Sequence, residues 1–101
     1  MAYGLSDSEM AKMARVFASN EKVKEVILYG SRAKGTHKAF SDVDVTLVGD
    51  GLCREDIYAI RGALEESSLP YEFDVSIYSE LRNEELREHI GRVGKVVWRR
   101  D

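Results

Sequence analysis

Two segments of the chain, Asp42 to Val48 (DVDVTLV) and Tyr71 to Tyr78 (YEFDVSIY), place apolar residues at every second position. Such alternation gives each segment one buried and one polar face, the signature of a half-buried strand. Val43, Val45 and Leu47 share one face of the first segment, against Asp42, Asp44 and Thr46 on the other. Tyr71, Phe73, Val75 and Ile77 oppose Glu72, Asp74, Ser76 and Tyr78 in the second. A third strand, Val23 to Tyr29 (VKEVILY), is β-branched and apolar and stops at Gly30. Only roughly a dozen residues separate it from Asp42, too few for a crossover with a full helix. The first two strands are therefore expected to be antiparallel neighbours joined by a short turn containing Gly30 and Gly35.

Helical signals fill the gaps. Ser6 and Glu9 form a capping box, with Leu5 and Met10 placed as a hydrophobic staple, and Met10, Met13, Ala14 and Phe17 mark a buried stripe that Asn20 should end. Arg54 to Ser67 reads as a second helix, with Ile57, Ile60, Ala63 and Leu64 inward, stopped by Ser68-Leu69-Pro70. A third covers Asn83 to Arg92, with Leu86, Ile90 and Val93 apolar. Gly94 closes it before a terminal strand, Lys95 to Trp98. The order α-β-(short turn)-β-α-β-α-β predicts an α/β (α+β) fold, a mixed sheet flanked by helices, in a single domain over residues 1–101.

Composition narrows the function. With 101 residues, 44% hydrophobic and 33% charged, the chain is globular in character. A net charge of −3 argues against direct nucleic-acid binding by overall charge. The single Cys53 excludes an intramolecular disulfide, no apolar run could span a bilayer, and residues 1–7 lack the features of a signal peptide. A cytoplasmic domain is expected. Its small size also favours a homo- or hetero-oligomer that covers more surface.

The chemistry concentrates at one corner. An antiparallel first pair brings Gly30-Ser31 beside Asp42 and Asp44, whose carboxylates project from the same face. Asp74, on the polar face of another strand, completes a trio, with Glu72 its nearest rival. Converging carboxylates repel unless cations neutralise them, and oxygen-only donors completed by substrate phosphates suit Mg²⁺. Gly30 permits close backbone approach, Ser31 offers a hydroxyl and an amide, and Arg32 and Lys34 add positive charge, together a candidate phosphate cradle. His37 and His89 read as surface residues without zinc-type companions, and Cys53 as a buried or capping thiol.

Gly30-Ser31-Arg32-Ala33-Lys34-Gly35 followed by Ser41-Asp42-Val43-Asp44-Val45 resembles the signature of the DNA polymerase β-like nucleotidyltransferase superfamily, with Asp74 in Phe73-Asp74-Val75 fitting the third carboxylate. The resemblance covers nearly the whole chain. Within the superfamily the chain is similar to the minimal nucleotidyltransferases that serve as antitoxins beside a HEPN-type toxin. That resemblance implies a nucleotidyltransferase fold, with Asp42 and Asp44 holding two Mg²⁺ ions. It implies that Asp74 holds the catalytic metal and orients or deprotonates the acceptor hydroxyl, while Gly30 and Ser31 bind the β- and γ-phosphates of ATP. It further implies transfer of AMP to a tyrosine of the HEPN partner. Three other readings share this apparatus: adenylylation of a small molecule, an antitoxin acting by binding alone, and a nucleotide-binding subunit that assists a partner.

Overall fold

In the computed structural model, which describes all 101 residues, the capping box forms reciprocally. Ser6 Oγ accepts from the Glu9 amide at 3.1 Å, and Glu9 Oε1 accepts from the Ser6 amide at 2.8 Å. Two amides that a helix start leaves free are thereby satisfied, worth about 1 kcal/mol, and helix α1 (Asp7–Ala18) begins there. It ends two residues before the expected stop at Asn20. Asn20 makes a turn instead: its side chain accepts from the Lys22 amide at 2.9 Å, and its carbonyl accepts from the Val23 amide at 3.1 Å. The first strand, β1 (Glu25–Tyr29), accordingly starts later than the apolar run suggested.

The connection expected as a short turn contains a short helix, α2 (Gly30–Lys34), closed by Gly35 in the left-handed conformation at φ 80°. Strand β2 (Val43–Val48) follows, then helix α3 (Arg54–Glu66) and strand β3 (Phe73–Ile77). A single 3₁₀ turn (Tyr78–Glu80) leads to helix α4 (Glu84–Val93), capped by the Asn83 side chain, and to strand β4 (Lys95–Arg99).

The strand order is β3-β2-β1-β4. β1 runs antiparallel to both β2 and β4, as its short link to β2 required, whereas β2 and β3 are parallel and joined through α3. Val26, Leu28, Val43, Val45, Leu47, Val75 and Ile77 are buried on one face, packed with Met13, Val16 and Phe17 of α1 and Ile60 and Leu64 of α3. α4 lies against the other face, where its His89 ring meets Tyr29 edge-on and Gly94 faces Ile27. That second face is only partly covered, and the polar halves of β2 and β3 lie on it. No helix is long and apolar enough to cross a membrane.

Candidate active site

Strand register assembles the site. Tyr29 of β1 pairs with Asp44 of β2, and Asp44 pairs in turn with Asp74 of β3. Residues directly opposed across a ladder project from the same face, so Tyr29, Asp44 and Asp74 form a row across three strands. Ile27, Thr46 and Ser76 form the next row, and the Thr46 and Ser76 hydroxyls are buried without a hydrogen-bond partner. Asp42 lies one residue before β2. Glu72 lies one residue before β3, where its carbonyl accepts from the Val43 amide at 2.9 Å. The register thus sets Asp74, not Glu72, beside Asp44.

Asp44 is the half-buried member; Asp42 and Asp74 are exposed. Burial pushes the Asp44 carboxyl up from its ordinary value, the charges of Asp74 and Asp42 add to the rise, and Arg32 partly opposes it. All three ion pairs of the chain lie elsewhere, at Lys22–Asp56, Arg92–Glu88 and Arg99–Glu25. A set of oxygen donors whose charge the chain does not neutralise fits a hard divalent cation. No three acidic, His or Cys side chains are gathered closely enough to hold a metal unaided. Mg²⁺ is commonly held by one or two carboxylates with substrate phosphates and water completing the shell.

The Gly30 corner touches this row directly. Gly30 has φ +74°, and a Cβ there would collide with Asp44 Oδ2. Glycine is required because the backbone meets a carboxylate. The Gly30 amide itself is engaged, donating to His89 Nε2 at 3.1 Å. Ser31 follows in the first turn of α2, half-buried.

Arg32 departs from its expected place at a phosphate. Its side chain is only 1% exposed. The guanidinium donates to Ser41 O at 2.8 and 3.2 Å, to Tyr3 O at 3.0 Å and to Ala39 O at 3.5 Å, and stacks 4.5 Å over the Tyr71 ring. A planar, five-donor group suits such a set of carbonyls. Arg32 therefore ties the segment ahead of Asp42 to the N-terminal residues, with its donors turned to the backbone. Lys34 remains exposed.

The surface has four hollows, and none is lined by Gly30, Ser31, Asp42, Asp44 or Asp74. The largest, about 560 Å³, lies between α1 and α3 on the opposite side of the sheet. Asp42 and Asp74 are exposed to solvent, and Asp44 between them is half-buried.

Residues 11–101 match the family described as Polymerase beta, Nucleotidyltransferase. The chain belongs to that family. No curated protein matches this nucleotidyltransferase. Among solved structures, it is similar to a toxin–antitoxin complex with AMP-PNP, at 22% identity and TM-score 0.72, over 95% of this chain and 75% of the other. It is also similar to the toxin–antitoxin MntA-HepT, at 18% identity and TM-score 0.69, over 94% and 74%. A third neighbour comes from a tri-AMPylated Shewanella oneidensis HEPN toxin in complex with MNT antitoxin, at 17% identity and TM-score 0.68, over 91% and 71%. These likenesses bear out the nucleotidyltransferase fold.

Two members of this site escaped the sequence reading. His89 was expected at the surface, yet it reaches Gly30; its place three residues after Leu86 and four before Val93 puts it on the inward stripe of α4. Tyr29 ends the core strand, and the register, which no local pattern encodes, pairs it with Asp44.

Proposed function

We propose that this nucleotidyltransferase moves AMP from ATP to a hydroxyl on a protein, a tyrosine of a HEPN-type toxin, and so acts as that toxin's antitoxin. The observation that carries the reading is the pairing of Asp44 with Asp74 on adjacent strands, with the Gly30 corner packed on Asp44. The neighbours with a bound ATP analogue and with an AMPylated HEPN toxin support the choice of nucleotide and acceptor.

In this proposal Asp42, Asp44 and Asp74 would hold the Mg²⁺, with substrate phosphates completing its shell. When bound, the metal would neutralise charge on the phosphates and lower the pKa of the acceptor hydroxyl. The chain's own residues align the reactants. Gly30 and Ser31 receive the β- and γ-phosphates, the Ser31 hydroxyl and amide serving as donors. Asp74 accepts the proton as the acceptor oxygen bonds to the α-phosphorus. The bond from that phosphorus to the bridging oxygen breaks, and pyrophosphate leaves with its electron pair.

The test is intact-mass spectrometry of a HEPN-type partner encoded beside this chain, after incubation with the chain, ATP and Mg²⁺. A gain of one or more AMP units, absent with Asp42→Ala, establishes the reaction and its acceptor. No gain alongside a stable complex would replace it with neutralisation by binding alone. Modification of a small molecule instead would overturn the protein acceptor.

A further inference from the structure

The hydrogen bond from the Gly30 amide to His89 Nε2 joins residues far apart in sequence, and the partners are unlike ordinary core contacts. To accept, Nε2 must carry no proton, so the ring's proton lies on Nδ1. The imidazole is held from several sides. Its ring packs edge-on against Tyr29 at 6.3 Å between centroids. Two residues earlier, Arg87 donates to Tyr78 O at 3.1 Å and Leu81 O at 3.2 Å and stacks 4.6 Å over the Tyr78 ring, fixing the start of α4. After His89, the Gly94 amide closes the helix on Ile90 O at 2.8 Å, and Gly94 packs on Ile27. The acceptor nitrogen is therefore mounted on an anchored helix.

We propose that His89 is a positioning residue: by taking the Gly30 amide it fixes the turn at φ +74°, and through Gly30 it sets where the Asp44 carboxylate lies. The second link is steric. Gly30 and Asp44 are packed so closely that the space for a Cβ is filled by Asp44 Oδ2. A turn free to rotate would release that carboxylate and misdirect the Ser31 donors beside it. The inference rests on the nucleotidyl-transfer reading for its functional consequence, while the hydrogen bond and the packing are independent of it.

Two variants separate an acceptor from a mere filler. His89→Gln keeps an acceptor oxygen on a side chain of similar reach, whereas His89→Leu keeps comparable volume without one. The affinity for AMP-PNP with Mg²⁺, measured by calorimetry, should fall about tenfold in His89→Leu, the scale of one lost hydrogen bond, and recover to within about threefold of wild type in His89→Gln. In turnover, kcat should fall in His89→Leu as Asp44 is misplaced, with KM for ATP rising alongside it, and both should recover in His89→Gln. Nuclear magnetic resonance of the nucleotide-free chain should show the Gly30 amide and Asp44 carboxyl carbon displaced in His89→Leu and near their wild-type positions in His89→Gln. Equal behaviour of the two variants, or a Leu variant matching wild type, overturns the proposal. If the wild-type chain binds no nucleotide, the transfer reading fails. The resonances then decide the positioning claim alone, and unmoved Gly30 and Asp44 signals in His89→Leu would sink it.

Discussion

Asp44 and Asp74 stand side by side on parallel strands, and neither is offset by a cation within ion-pair reach. For Asp44, burial first and the neighbouring carboxylates second raise its pKa above the ordinary value. The native state then holds that proton more tightly than the unfolded chain. The group costs stability as pH rises through the interval from its unfolded to its folded value. Asp44→Asn removes this cost. In metal-free buffer at neutral pH the variant should melt above wild type, with the gap closing in acid, and AMP transfer should be abolished. Mg²⁺ should raise the wild-type melting temperature and leave the variant unchanged. Thermal melts across pH, with and without Mg²⁺, check all of these expectations.

Gly30→Ala should be severe for two separable reasons. A non-glycine residue at positive φ costs about 1–3 kcal/mol, and its Cβ would displace Asp44. Transfer should fall at least about 100-fold, consistent with misplacement of a reacting group, and denaturant melts should show the stability loss. Gly35→Ala, where a Cβ meets nothing within 4 Å, carries the conformational cost alone and should retain much more activity.

Arg32→Lys tests the buried clamp. Lysine cannot reproduce the fork to Tyr3, Ala39 and Ser41, and it leaves a buried charge with fewer partners. The stability loss should be about 2–4 kcal/mol. A phosphate ligand would show the opposite pattern, a large rise in KM for ATP with little loss of stability. Urea unfolding set beside nucleotide affinity distinguishes them.

Asp56 organises the far end of the molecule. Its carboxylate accepts from Lys22 Nζ at 2.7 Å, Asn20 Nδ2 at 3.0 Å and the Cys53 amide at 2.8 Å, and Cys53 Sγ donates at 3.2 Å. Lys22 first, then Asn20 and the Cys53 amide, hold its pKa well below the usual carboxylate range. A depressed folded-state value stabilises the protein above the unfolded pKa, and that contribution is lost as pH falls towards the folded one. Asp56→Ala should therefore lower the melting temperature at neutral pH, and the difference should shrink in acid.

What could be read from the sequence was whatever local periodicity or spacing encodes. The alternation in DVDVTLV set Asp44 and Thr46 on one face, and the brevity of the link after Tyr29 forced the antiparallel pair. The capping role open to Cys53 was equally local: it is the N-cap of α3. A cation beside Gly-Ser, such as Arg32, resembles a phosphate ligand in sequence. Its actual acceptors are backbone carbonyls, which every residue owns and no sequence marks. His89 failed differently. Its helical stripe was visible, but the partner was an amide that only the packing of α4 on β1 brings within reach.

β1 gains its second neighbour late, because it pairs with β4, which lies at the other end of the chain in sequence. Every carboxylate of the site is made before that edge is covered. During synthesis the hydrogen-bonding groups along the outer side of β1 stay open until Lys95–Arg99 emerge, after β2 and β3 have been made. An apolar strand waiting with one bare edge is the point at which such a chain is most exposed to wrong pairing. Newly made chains should thus depend on Lys95–Arg99 to escape aggregation.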